Sequence, residues 1–359
     1  TLNVNAGYRN GIKSTDDCII VSGTLNITST EDGIIGKDLC GVVAGDININ
    51  AGSDGIKSTY DTDTTKGNVI IEGGNITIKA SNDGIQAENI LVINDGTINI
   101  KTNNGAADTT QTHTDNMYMG RGGFGFNNNK TTTTTDDTVE SRKGIKAGNM
   151  LIINDGDITI DSDDDSVHCN SEIYIYGGTI NAATGDDGVH ADDLLTVNGG
   201  TINITQCYEG IEADDIVIND GDISVVSSDD GINSSDGSIT INGGNLLINA
   251  SGDGLDANGS IIINGGYIVV LGPTSDGDTA IDYDDSCTIN GGTVMAFGSS
   301  GMLEIPKGAS NGACIVTAFT SVSGGSKYTL SDSNGNEILS YTPSKAYAAA
   351  IVYSDKITT

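Results

Sequence analysis

The sequence predicts an all-β fold, a right-handed parallel β-helix of about 11–12 coils closed by a C-terminal β cap. Three observations point there. A small residue followed by an apolar one recurs in steps of mostly 21 to 23 residues, as in Gly33-Ile34, Gly55-Ile56, Gly188-Val189, Gly210-Ile211 and Gly254-Leu255, with Ser166-Val167 and Ala280-Ile281 in the same slot. A second marker, Gly-Gly or Asp-Gly, sits about eleven residues behind each first one, as at Gly73-Gly74, Asp95-Gly96, Gly199-Gly200 and Gly291-Gly292. Alternating apolar residues flank it, such as Leu195 and Val197 before and Ile202 and Ile204 after.

Period-two alternation marks strands with one buried face, and the glycines supply the positive φ of sharp corners. Each repeat is then three short strands joined by tight corners. One repeat cannot bury its own apolar face, so the repeats must stack, with like residues superimposed every ~4.8 Å. Parallel crossovers favour right-handed winding. The helix is expected over residues 1–300 and the cap over 301–359, where the period fades and Ser333-Asn334-Gly335-Asn336 reads as a hairpin turn. An insertion at 106–142, rich in Thr, Asn and Gly, interrupts the repeat. It reads as a surface loop or, alternatively, as a flap presenting Met117, Tyr118, Met119, Arg121, Phe124 and Phe126.

With 49 Asp+Glu against 16 Lys+Arg in 359 residues, the formal charge is −33. This excludes nucleic-acid binding and attraction to anionic membranes, both of which need clustered cations. No apolar run approaches the roughly 20 residues of a membrane span. The opening Thr1-Leu2-Asn3-Val4 alternates like a strand, so a chain beginning inside a folded unit, without a signal peptide, is expected. A monomer is expected.

Register places Cys18, Cys40 and Cys287 in an inward slot that elsewhere holds Leu151, Ile173 and Leu195, and Cys169 in the slot of Ala147, Ala191 and Ala213. They read as small buried hydrophobes, although Cys18 and Cys40, one turn apart, leave room for a bridge. His168 and His190 share an outward slot, with Lys146 below and Glu212 above. Their oxygen-rich surroundings favour hard cations over zinc.

Between residues 147 and 306 stand 28 Asp+Glu and no Lys or Arg. Stacking gathers these acids into columns. One holds Asp164-Asp165, Asp186-Asp187, Tyr208-Glu209, Asp229-Asp230 and Asp253. A second holds Glu212, Asp256 and Asp282, and a third Asp192-Asp193, Asp214-Asp215 and Asp236. Carboxylates one coil apart repel, and no cation within this stretch offsets them. Calcium, taking six to eight oxygen ligands, would, so several calcium sites are expected among these residues. The alternative is that Asp-Gly is ordinary corner chemistry with solvated charge.

The strings Gly185-Asp186-Asp187-Gly188-Val189, Ser228-Asp229-Asp230-Gly231-Ile232 and Gly252-Asp253-Gly254-Leu255-Asp256 resemble the calcium motif of family nine polysaccharide lyases, β-helices that cleave pectate. That motif has an Asp doublet, an Asp three residues beyond, and an Asp from the preceding coil. Asp253 and Asp256 with Asp230 come closest, Gly252 replacing one member of the doublet. His190 and Asn233 stand in the third place after the other two doublets. The chain as a whole, over about residues 7–300, more closely resembles a bacterial family of lyase-like β-helix domains that bind carbohydrate. The resemblance implies cell-surface or extracellular location, cellulose and acidic sugars such as pectin or polygalacturonate as ligands, and calcium.

Three functions are weighed. A binding module for plant cell-wall polysaccharide that does not cleave it is preferred, with Tyr208, Tyr174 and Tyr176 as stacking candidates beside Tyr267 and Tyr283. A lyase needs a basic residue near the metal to take the proton α to a uronate carboxylate, and Lys146 is the candidate, with Lys143 nearby. A calcium-stiffened rod or adhesin stalk needs no ligand.

Overall fold

The computed structural model of the chain describes residues 1–107, 140–306 and 314–357. It is a parallel β-helix of about twelve turns, built from three columns of strands. The first column holds three-residue strands such as Ile34–Gly36, Ile56–Ser58 and Leu255–Ala257, each opening just after a small-residue marker. The second holds four-residue strands such as Met150–Ile153 and Ser260–Ile263, and the third strands of five or six such as Thr97–Thr102 and Asp157–Ser162. In the third column, twelve parallel strands stack in sequence order among the described residues. The insertion leaves the helix between the third strand Thr97–Thr102 and the first strand Ile145–Ala147. Its Met, aromatic and Arg121 residues lie outside the described residues.

Why the markers are small follows from the stacking distance. A Cβ at Gly188 would overlap the Gly210 carbonyl oxygen of the next coil and the Ile204 side chain. Gly200 is needed for a different reason, its φ of +92° at the turn into the third strand. Inside, the residue after each first marker forms a continuous file, including Ile34, Ile56, Ile85, Ile145, Val167, Val189, Ile211 and Ile232, all fully buried. Cys18, Cys40 and Cys287 stack in the second-column file with Val69, Leu91 and Leu151, and Cys169 lies between Ala147 and Ala191. All six cysteines are free thiols.

A second file runs outside, at the corner before the Gly-Gly marker. The amides of Asn219, Asn242, Asn264 and Asn290 each donate to the side-chain oxygen of the equivalent residue one coil down, starting at Asn198, over 2.8 to 2.9 Å. Such ladders satisfy polar side chains while fixing register.

Two coils depart from the expected three short strands. Val189–Val197 and Ile211–Ile218 run unbroken through the first corner. A bulge between them shifts register, so Asp215 stands over Leu194 rather than over Asp193. The cap also does more than cover the end. Tyr347–Ser354 pairs antiparallel with the last parallel strand, Thr293–Gly298, and Cys314–Val322 pairs beyond it. The hairpin Tyr328–Ser331/Glu337–Tyr341, with its turn at Gly335 as anticipated, shares a separate core with Val269, Met295 and Phe297 on the outer face of the last coils.

Replacing Gly188 by Val is expected to lower stability by about 1–3 kcal/mol through overpacking, measured by urea denaturation. Replacing it by Ser, the residue at the equivalent position 166, is expected to cost less. Equal effects would contradict close stacking as the reason for the small residue.

Candidate functional site

The residue just before each first marker carries the site. One of its side-chain oxygens accepts a hydrogen bond from the backbone N–H of the equivalent residue in the next coil. Asp32 serves Asp54 at 3.2 Å, Asp54 serves Asp83 at 3.0 Å, Asp83 serves Lys143 at 2.8 Å, Asp165 serves Asp187 at 3.1 Å, Asp187 serves Glu209 at 3.2 Å and Asp230 serves Asp253 at 2.6 Å. Asp253 does the same for Thr279. These corner N–H groups would otherwise lack partners, so this oxygen is structural.

In Asp54, Asp165 and Asp187 the other oxygen meets the outward slot three residues on, whose occupants stack in the expected register: Lys57, Gln86, Lys146, His168, His190, Glu212, Asn233, Asp256 and Asp282. Along this file the chemistry changes from cationic to imidazole to acidic. Asp54 meets Lys57 at 2.7 Å. Asp165 meets His168 at 2.8 Å, and Asp187 meets His190 at 3.0 Å. Asp253 meets Asp256.

The expectation that no cation reaches the acidic doublets is corrected at their lower end. Lys143, from the coil beneath, binds Asp164 at 2.8 Å and Asp165 at 2.5 Å, and Arg142 binds Asp163 at 2.7 Å. Both cations stand just outside the stretch free of Lys and Arg, one coil away in space. Burial alone would lower the Lys143 pKa, but Asp165 and Asp164 raise it far above its usual value. Burial would likewise raise Asp165, yet Lys143 and His168 hold it well below the carboxylate range. Asp186 lies close to Asp164 and Asp165, and burial with their charge pushes it up to about 7. Higher up, burial, Glu212 and Asp187 push Glu209 up to about 10, and Asn233 donates to it at 2.9 Å.

Lys146, the candidate base, forms no ion pair with Asp164, Asp165 or Asp187 among the described residues. Its ammonium lies 3.3 Å from the Ser141 hydroxyl, in a polar recess of about 190 Å³ shared with Asp54, Lys57 and Asp83.

In the third expected column Asp192, Asp193 and Asp215 are exposed, and a bulge shifts the register across it by one residue. Asp193 accepts from the Ser171 hydroxyl, Asp214 from that of Ser235, and Asp215 from the Ser238 N–H.

Asp230, Asp253 and Asp256 do converge. Each offers an oxygen, and the three lie within 4.8 Å of one another. Among the described residues no Lys, Arg or His pairs with any of them. Asp229 stands beside them; Gly252 makes room, since a Cβ there would press on the Asp229 and Asp230 oxygens. Burial first, then neighbouring carboxylates, push Asp230 and Asp253 up to about 8 and Asp256 up to about 7. Hard oxygen donors alone, crowded and without a counter-charge, are a donor set that suits calcium.

The tyrosines separate. Tyr283 is buried and donates to the Ile305 carbonyl at 2.7 Å, which removes it as a stacking platform. Tyr208 is half-buried in the corner file. Tyr174 and Tyr176 lie nearly parallel, with ring centroids 6.5 Å apart and 16° between planes, and Tyr176 is 52 % exposed. Tyr176 takes the place that Asn154 and Asn198 hold in neighbouring coils and so interrupts the amide file. Tyr174 stands in an outward column with Ile70, Val92, Ile152, Thr196, Val217, Thr240 and Ile262, all half-exposed. This makes a flat, largely apolar strip.

The raised carboxylates fix a pH dependence. A group whose folded pKa exceeds its unfolded value of 3.8 binds more protons when folded at pH between the two, so stability falls as pH rises. In chelator, the urea midpoint is expected to drop between about pH 4 and about pH 8, and the Asp230→Asn, Asp253→Asn, Asp256→Asn triple variant to lose much of that slope. An unchanged slope would show that the three titrate normally.

No curated protein and no solved structure matches the chain in comparisons of sequence and of fold. A family profile described as "Carbohydrate-binding domain-containing protein" matches residues 1–188 and 186–335, most of the chain. Matched over most of its length, the chain belongs to this carbohydrate-binding domain family.

Proposed function

We propose that the chain is a non-catalytic module, acting extracellularly or on the cell surface, that binds plant cell-wall polysaccharide with the help of calcium. The observation that carries the calcium part is the convergence of Asp230, Asp253 and Asp256 without a basic partner. A divalent ion there would remove their repulsion and tie successive coils together. It would also present positive charge to the carboxylates of polygalacturonate, which the bare anionic surface repels.

Neutral chains such as cellulose call for a different surface. The Tyr174–Tyr176 pair and the apolar strip beside it offer ring faces in the plane of an extended glucan. A lyase reading lacks its base. Lys143 is held protonated by two carboxylates, Lys146 points to Ser141, and neither stands beside the Asp230 cluster.

Pull-down on insoluble cellulose and on insoluble pectate, with and without chelator, tests the reading. Retention on pectate is expected to require calcium and to fall about tenfold or more in the Asp253→Asn, Asp256→Asn variant. Retention on cellulose is expected to survive chelator but to fall in Tyr176→Ala. Absence of binding to either polymer would favour a structural rod. A rise in ultraviolet absorbance from unsaturated product with soluble polygalacturonate, abolished in Lys146→Ala, would establish a lyase instead.

A further inference from the structure

The middle of the outward file, between the lysine end and the all-carboxylate end, is chemically distinct from both. His190 Nδ1 lies 3.0 Å from Asp187 Oδ2 and 3.0 Å from Glu212 Oε2. One coil below, His168 Nδ1 lies 2.8 Å from Asp165 Oδ2. The two rings are neighbours, with centroids 4.9 Å apart. Donor atoms of Asp187, His190 and Glu212 fall within one 4.8 Å group, and those of Asp165, His168 and His190 within another that shares His190.

The far nitrogen of His168 supplies a second observation: its Nε2 hydrogen-bonds Asn170 Oδ1 at 2.8 Å, whereas His190 Nε2 stands in ion-pair range of Asp192 Oδ1 at 3.4 Å. An Nε2–H donating to an oxygen leaves Nδ1 of the neutral ring as an acceptor. Both Nδ1 atoms, however, face carboxylate oxygens, which are also acceptors. Such a contact holds only if a proton or a metal ion lies between. An outer oxygen orienting the remote N–H is also the usual support of a metal-ligating histidine.

We propose that Asp187, His190 and Glu212 hold a divalent transition-metal ion of the zinc class, with Asp165 and His168 as neighbouring donors one coil below. Nitrogen together with carboxylate oxygen suits zinc, whereas calcium takes oxygen alone. Ligands about 2.0–2.1 Å from a tetrahedral ion stand ~3.3 Å apart, so the present 3.0 Å spacings need only a small expansion. Asp187 is buried and keeps its other oxygen on the Glu209 N–H, and Glu212 and His190 are half-buried; the ion would therefore close from the outer side, where water can complete its shell. The site is separate from the Asp230, Asp253 and Asp256 cluster and carries a different metal preference.

The test uses the whole chain saturated with calcium and titrated with Co2+, then with Zn2+ in competition. Expected is a visible cobalt spectrum of four- or five-coordinate type, displaced by Zn2+, with zinc affinity falling at least about tenfold in both His190→Gln and Glu212→Gln. Circular dichroism and the urea midpoint would check that both variants fold. Zinc uptake that both variants retain would overturn the proposal. So would nitrogen NMR showing both His190 nitrogens protonated and unmoved by Zn2+, which would leave an imidazolium ion pair. Neither result bears on polysaccharide retention, which is read separately.

Discussion

The division of labour between the two oxygens of each corner carboxylate underlies both the fold and the site. One oxygen accepts the N–H of the next coil, so Asp32, Asp54, Asp83, Asp165, Asp187, Asp230 and Asp253 are parts of the corner. The second oxygen is held by the same geometry and faces whatever occupies the outward slot. Chemistry is therefore set by one residue three positions along, while the scaffold stays constant. Lys57 gives a closed ion pair, His168 and His190 give imidazole–carboxylate contacts, and Asp256 gives a cluster of like charge.

This arrangement explains how a chain of formal charge −33 packs acids one coil apart. The lower coils use internal counter-ions, Lys143 above all, whose charge survives burial because two carboxylates surround it. Higher up, no Lys, Arg or His among the described residues pairs with Asp230, Asp253 or Asp256, and their carboxyls are shifted toward the protonated form. For the calcium proposed above, the repulsion among these carboxyls is present before the ion arrives and would favour its binding.

Away from the corner, the second-column face has a different character. Its outward file from Ile70 to Ile262 is β-branched or aromatic rather than charged, and Tyr176 gives up a rung of the amide file to stand exposed beside Tyr174. The acidic corner and this strip lie on different parts of each coil, so the calcium and the neutral polymer proposed above would meet different side chains.

Much was legible in the sequence because a parallel β-helix converts periodicity into position. The 22-residue step by itself places the inward files, the buried cysteines and the file from Lys57 to Asp282, and Ser333-Asn334-Gly335-Asn336 marks the cap turn. Tertiary structure decided what period alone could not. The bulge between Val189–Val197 and Ile211–Ile218 shifts the register by one residue, so Asp215 stands over Leu194 rather than over Asp193. Tyr283 stands in the inward slot that Ala257 holds one coil below, and only the structure shows that its ring fits there, with its hydroxyl donating to the Ile305 carbonyl. The reach of Lys143, but not Lys146, to Asp164 and Asp165 depends on side-chain direction across a coil interrupted by an insertion. Repetition fixes which residues stack; the irregularities fix which of the stacked groups can touch.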